Sequence, residues 1–246
     1  MSSTQAQIAF ENSGSELEES ALVLSSIGLV ESYRPSPLAA LESWRYEYIK
    51  RSIDFVLSLT MVAILAVPGL LIALVILLTS GGPVLYCEQR IGRYGKPFRI
   101  LKFRSMYRDA AQRAKIAEME AGPHAVEWRM RKHLQDPRIT PIGRILRRWS
   151  LDEIPQIINV LRGEMSLVGP RPIVQTETLF YGDLLSYYLA ATPGLSGLWQ
   201  VSGRSQIGYE ERARIDASYV KTWGLKSDFL ILLRTIPVVV GRVGAR

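Results

Sequence analysis

The chain has 246 residues, 48% hydrophobic and 22% charged, with a formal net charge of +7. That length allows one domain with appendages, or at most two small domains. The basic excess asks for an anionic partner. With no RNP-like aromatic motif, zinc-finger spacing or basic recognition helix, nucleic acid is set aside in favour of lipid surfaces and phosphorylated substrates. Cys87, the only cysteine, excludes an internal disulfide and suits a reducing cytoplasm.

Residues 1–42 mix Ser, Glu and Gln with short apolar patches and show no sustained period, the signature of a mobile tail. Trp44, Tyr46 and Tyr48 then cluster before Lys50 and Arg51, as at a membrane–water interface. From Phe55 to Leu78 there is no charged residue, and the run exceeds the roughly 20 residues that carry a helix across a bilayer core. Its late start and acid-bearing flank exclude a signal peptide. Pro68-Gly69 interrupts the run near its middle. Proline removes a helix donor and glycine lets the chain bend, which leaves a kinked span or a helix–break–helix returning to the same face. Lys50 and Arg51 on one flank and Arg90, Arg93 and Lys96 on the other favour re-entry, because basic flanks stay cytoplasmic.

Pro83–Gln89 and Phe98–Phe103 read as two strands of a hairpin turning at Gly92–Lys96. Gly92 and Gly95 do not make a phosphate loop, since no Gly-Lys-Ser/Thr follows. Asp109–Glu120 has helical character. His124 and His133 lie in a polar stretch and read as surface residues. Asp136–Pro141 reads as a turn into a helix with Thr140 as N-cap and Pro141 at N1. That helix sets Arg144, Arg147 and Arg148 on one face, either toward lipid headgroups or, for Arg147, toward the segment that follows.

That segment, Ser150–Gln156 running on to Gly169-Pro170-Arg171-Pro172, is the most informative of the chain. Ser150 and Glu153 fit a capping box, with Asp152 as a first-turn acid. Pro155 argues otherwise, for with Ser150 as N-cap it would cost a helix bond. A helix starting at Leu151 or Asp152 tolerates the proline in its first turn and puts both carboxylates at the helix mouth. Adjacent carboxylates among guanidiniums build a poor core but suit phosphate chemistry. Downstream, Pro193–Arg204 reads as a glycine-rich loop around Trp199, and Glu211–Trp223 as an amphipathic helix with Ile215, Tyr219 and Val220 on one side. Phe229–Leu233 and Ile236–Val240 are apolar but too short to span, so they are core or interfacial surface.

The Ser150–Pro172 block, the Lys102–Met106 stretch and the Pro193–Arg204 segment resemble the signature of the bacterial sugar transferases, the monotopic polyprenyl-phosphate glycosyl-1-phosphate transferases. The resemblance runs from about Ile49 to Val240 and is nearest the short exopolysaccharide-initiating galactose and glucose enzymes. It implies a mainly α fold with a small β-hairpin, one re-entrant, Pro68-broken membrane helix and interfacial amphipathic helices. Residues 1–42 would then be the tail, 43–80 the interfacial and membrane segment, and 81–246 a catalytic domain on the cytoplasmic face of a bacterial inner membrane. The implied reaction passes a sugar-1-phosphate from a UDP-sugar to undecaprenyl phosphate through an aspartyl-phosphosugar, with release of UMP. Asp152 would be nucleophile and Mg²⁺ ligand, Glu153 its partner, and Lys102, Arg104, Arg147, Arg171 and Arg204 the substrate-binding cations. Anionic lipids are expected partners, and a homodimer is an open option. The rival readings are a membrane-anchored basic scaffold without catalysis and a lipid-phosphate hydrolase.

Overall fold

The computed structural model describes residues 43–121, 136–203 and 208–241. The tail, His124, His133 and Arg204 lie outside the described residues. A π-helical turn, Arg45–Lys50, leads into helix α1, Arg51–Ser80. Then come β1 (Leu85–Ile91), β2 (Pro97–Phe103), α2 (Ala110–Ala121), α3 (Pro141–Arg148), α4 (Gln156–Arg162) and β3 (Ser166–Val168). The chain finishes with α5 (Leu185–Ala190), β4 (Gly194–Ser196), α6 (Leu198–Val201), α7 (Tyr209–Lys221) and α8 (Leu225–Val240).

α1 is one uninterrupted helix of 30 residues with Pro68 inside it, not the helix–break–helix expected. A proline deletes only its own donor and crowds one carbonyl, a loss the helical bonds before and after it outlast here even with Val67 and Gly69 as its neighbours. Leu57, Ile64, Val67, Leu70, Leu74 and Leu78 are all exposed, a contiguous apolar surface far larger than a water-facing helix carries. The helix is nevertheless tied to the rest of the protein near both ends. At its start Arg51 donates to the carbonyls of Val160 and Leu161 at 2.5 and 2.6 Å, satisfying the open C-terminal end of α4. One turn on, Asp54 accepts from the Leu167 amide at 3.0 Å. Toward the other end Ile76 is fully buried with Phe103 and Leu146, with Ile72 and Ala73 packed beside it.

Tyr46 departs from the interfacial role expected of it. Trp44 and Tyr48 are exposed, but Tyr46 is buried, with its ring edge-on to Trp223 at 4.8 Å and its hydroxyl accepting from Thr192 N at 2.8 Å. Beside it the Lys50 ammonium meets Asp228 at 2.6 Å. Asp228 also accepts from the Tyr219 hydroxyl at 2.7 Å and the Trp223 indole at 3.1 Å. A buried charge pair needs such added donors to be tolerated.

The expected hairpin is present, with β1 and β2 antiparallel and Leu85 opposite Phe103. A second, parallel pair joins β3 to β4, where the sequence suggested only a loop. It escapes a sequence reading because each strand is three residues long and its partner lies far along the chain. The main core gathers Val160, Met165, Val168, Tyr219, Val220 and Ile231 behind these pairs. On α7, Tyr219 and Val220 face the core as expected while Ile215 is only half-buried, and Ala213, Asp216 and Ala217 are also buried. α8 buries Ile231 and leaves Phe229, Leu230, Leu233 and Ile236 exposed.

Candidate active site

The carboxylates do not sit in the first turn of an α-helix. They occupy a separate 3₁₀ turn, Leu151–Glu153, with Pro155 as the cap residue of α4 behind it. The capping box is absent too, for Ser150 makes no side-chain cap bond and takes a left-handed conformation at φ 55°. A non-glycine residue held there carries strain, a feature that clusters at functional sites. It reverses the chain between α3 and the acid turn and so presents Asp152 and Glu153 to a cavity.

α3 is started as the sequence predicted, by Thr140 Oγ1 accepting from Gly143 N at 2.9 Å. Gly143 is obligatory, since a Cβ would lie 2.0 Å from the Ser105 carbonyl oxygen. That close approach brings the last turn of α3 against the segment after β2, where Arg147 Nε donates to Ser105 Oγ at 2.8 Å. Arg147 is half-buried, while Arg144 and Arg148 are exposed. The arginine stripe therefore divides, one member inward and two outward.

On the opposite wall Lys102 donates to Glu153 Oε1 at 3.0 Å, and Arg104 donates to the Gly82 carbonyl at 3.2 Å. Arg171 enters from the parallel strand pair. There Gly194 N donates to Pro170 O at 2.8 Å and Gly169 N to Ser196 O at 2.9 Å. A Cβ on Gly169 would stand 2.3 Å from the Thr192 oxygen, so only glycine admits this contact. The guanidiniums of Arg171 and Arg212 both lie over the Trp199 indole, 5.0 and 5.1 Å from its centroid, a cation–π arrangement.

Lys102, Arg104, Arg147, Asp152, Glu153 and Arg171 line one cavity of about 560 Å³, together with Ser105, Trp199 and Arg212. Six of the seven site residues expected from sequence are thus brought together, and Arg204 falls outside the described residues. Pro68 and Gly69 lie on α1 and do not line the cavity, although Gly69 packs near Phe103, which does. The sequence reading missed Glu88, Arg90, Tyr107, Arg108 and Arg212. For Glu88 and Arg90 a signal existed, because Tyr86-x-Glu88-x-Arg90 alternates on one strand face. For Arg212 there was none, since Arg212 and Asp216 look like an ordinary i, i+4 surface pair.

Electrostatics divides the site into roles. Burial, then the adjacent Glu153 charge, raises the Asp152 carboxyl above its ordinary value against the pull of Lys102 and Arg147. Burial lowers Arg147, which Asp152 partly offsets. The described residues hold no cluster of three or more acids, histidines or cysteines able to enclose a metal. Two consecutive carboxylates do fit Mg²⁺, which keeps waters and shares substrate phosphates rather than needing an all-protein cage.

Comparison with known proteins places this geometry in context. Residues 45–242 match the family model described as bacterial sugar transferase. The chain is 46% identical over 199 residues to the undecaprenyl-phosphate galactose phosphotransferase of Salmonella typhimurium, covering 80% of this chain and 42% of that protein. It therefore spans about two fifths of the length of that relative. The exopolysaccharide production protein ExoY of Sinorhizobium fredii is 42% identical over 192 residues, 77% of this chain and 84% of its own length. A UDP-glucose:undecaprenyl-phosphate glucose-1-phosphate transferase of Caulobacter vibrioides is 41% identical over 197 residues, 76% of this chain and 68% of its own.

Proposed function

This chain belongs to the bacterial sugar transferase family, and on that premise we propose that it is a phosphoglycosyl transferase of a bacterial inner membrane. It moves a sugar-1-phosphate from a UDP-sugar to undecaprenyl phosphate at the cytoplasmic face and so begins exopolysaccharide or related glycan assembly. The observation that carries the reading is the single cavity in which Lys102, Arg104, Arg147 and Arg171 surround Asp152 and Glu153. Relatives named for galactose and for glucose transfer make UDP-galactose and UDP-glucose the leading donors.

The donor diphosphate lies among the guanidiniums, whose forks match phosphate oxygens. An Asp152 carboxylate oxygen attacks the β-phosphorus. The new oxygen–phosphorus bond forms as the bond to the α-phosphate oxygen breaks, and UMP leaves with that electron pair. Arg147 and Lys102 offset the charge that would repel the carboxylate from phosphorus. The phosphate oxygen of undecaprenyl phosphate then attacks the same phosphorus and frees Asp152. Asp152 and Glu153 would hold Mg²⁺, which when bound neutralises phosphate charge.

The exposed apolar surface of α1 and the outward face of α8 suit a monotopic seat in one leaflet. Because α1 stays helical through Pro68, both of its flanks share one face only if the helix bends without breaking. The ties near both ends of α1 to one catalytic body, through Arg51 and Asp54 at the start and Ile76 toward the finish, support that. The test is transfer of radiolabel from a panel of UDP-sugars to undecaprenyl phosphate in membranes carrying the full chain. Labelled polyprenyl-diphospho-sugar with release of UMP is expected. Release of free sugar phosphate would mean a hydrolase, and no turnover with any donor a scaffold.

A further inference from the structure

Behind the cation wall of the cavity lies a carboxylate that the reaction does not use. Asp216, on α7, is 1% exposed. Its Oδ2 accepts from the Tyr181 hydroxyl at 2.8 Å and from the Arg171 amide at 3.4 Å. Its Oδ1 has no hydrogen-bond partner among the described residues, and neither has Arg171 Nε, also buried. One turn before Asp216 stands Arg212, which shares the Trp199 ring with Arg171. Two guanidiniums over one indole repel each other, and each lowers the other's comfort in a part-buried wall. The remaining groups that face this centre are Glu177 and Tyr181 from the segment after β3, Tyr188 from α5, Arg90 from β1 and Tyr209 at the start of α7, whose ring lies 5.2 Å from the Arg212 guanidinium. Glu177 accepts from Val174 N at 3.0 Å and faces Arg90 at 3.7 Å, and its charge also reaches Arg212. Asp216 is the carboxylate that also holds Arg171, through its backbone amide, and it feels both guanidiniums through space.

We infer that Asp216 is a positioning residue for the donor site: from behind the wall its carboxylate holds the Arg171 backbone and compensates the Arg171 and Arg212 guanidiniums through space, and the cavity grips a diphosphate ester firmly only while that carboxylate is charged. The inference rests on the reading of this cavity as the donor-phosphate site. Burial pushes Asp216 up to about 7, against the Tyr181 hydrogen bond, the Arg171 amide and the two guanidiniums. Donor affinity should then weaken as the pH falls through that range, where a diphosphate ester keeps its own charge constant.

The experiment measures binding of UDP-glucose and UDP-galactose to the full chain in nanodiscs between pH 6 and pH 8, in an Asp152→Asn background that prevents turnover. Asp216→Asn, nearly isosteric but uncharged, should weaken binding at least tenfold at pH 8 and flatten the pH dependence. In the otherwise wild-type enzyme it should raise the donor KM while kcat stays within threefold, a split that general misfolding would not produce. Tyr181→Phe removes a hydrogen bond that favours the charged form, so it should move the affinity midpoint to higher pH. That second variant decides the matter if Asp216→Asn does not fold. Unchanged affinity and pH profile in Asp216→Asn, an unmoved midpoint in Tyr181→Phe, or no binding of either UDP-sugar would each overturn the inference. Normal transfer by the wild type alongside an unaffected Asp216→Asn would sink it alone and leave the transferase reading standing.

Discussion

Lys102 donates to Glu153 Oε1 at 3.0 Å, so strand β2 is tied to the second acid of the pair and not to the first. Asp152 feels Lys102 and Arg147 through space, and burial raises its carboxyl. The arrangement separates two neighbours that look interchangeable in the sequence. Glu153 is held in place by Lys102, an arrangement that suits the proposed role of Asp152 as the acid that approaches a substrate.

Asp152→Asn should accordingly abolish transfer, because an amide neither attacks phosphorus nor holds Mg²⁺. Radiolabel incorporation into lipid should fall to background while the protein still reaches the membrane. Wild-type turnover in this variant would remove Asp152 from the chemistry.

Arg147 and Arg171 should each contribute roughly 1.5–3 kcal/mol through charge-assisted contacts to phosphate. Arg147→Ala and Arg171→Ala should slow transfer at least tenfold with membrane association, read by carbonate extraction, unchanged. Ser105→Ala removes only the hydroxyl that aims Arg147, so its loss should be smaller. If activity instead follows extraction from the membrane, these arginines contact lipid.

The Lys50–Asp228 pair should matter to stability rather than to turnover. Lys50→Met strands a buried carboxylate and should cost about 3–5 kcal/mol. Adding Asp228→Asn removes that charge; the amide oxygen can accept from Trp223 in place of Oδ2 while its NH2 donates to the Tyr219 hydroxyl, which keeps Val168 O as its acceptor, so most of the loss should return. Thermal unfolding of the single and double variants in detergent measures both, and a single variant that melts with the wild type would rule out this account.

Asp216 also sets a stability slope. Its folded-state value is raised to about 7, so the folded protein keeps a proton that the unfolded chain gives up near the ordinary carboxylate value of about 3.9. The contribution is full below that value and is lost as the pH rises toward 7. Asp216→Asn should flatten the dependence of unfolding midpoint on pH in this window, and an unaltered slope would show that other groups produce it.

Topology can be read with the protein's own thiol. Cys87 is exposed on β1, beyond the end of α1. In intact cells a membrane-impermeant maleimide should spare Cys87, and it should also spare Ser43→Cys in a Cys87→Ser background. Both should react once the cells are opened. Labelling at position 43 alone would establish a spanning helix.

The features that could be read in advance are those written over a few residues. The β1–β2 hairpin, the Thr140 cap and the acid pair with its flanking Arg147 follow from local pattern and spacing. What could not be read depends on distant partners. Tyr46 looks like its interfacial neighbours Trp44 and Tyr48 until Trp223 closes over it. Arg212 looks like surface until the β3–β4 pair brings Trp199 and Arg171 beside it. Pro68 shows the converse, since a strong local breaker signal did not end the helix.

The late turns of α1 supply Ile76 to the same cluster as Phe103 and Leu146, directly beneath the strand that carries Lys102. The membrane segment is thus not a leash that could be traded for another anchor or trimmed to give a water-soluble enzyme. Cutting it away would open a hole under the acid turn, and grafting a foreign segment would have to reproduce that side chain at that depth. A change in the tilt of this helix should therefore reach the side chains around Asp152 through Ile76 and Phe103, so the proposed transfer should respond to bilayer thickness.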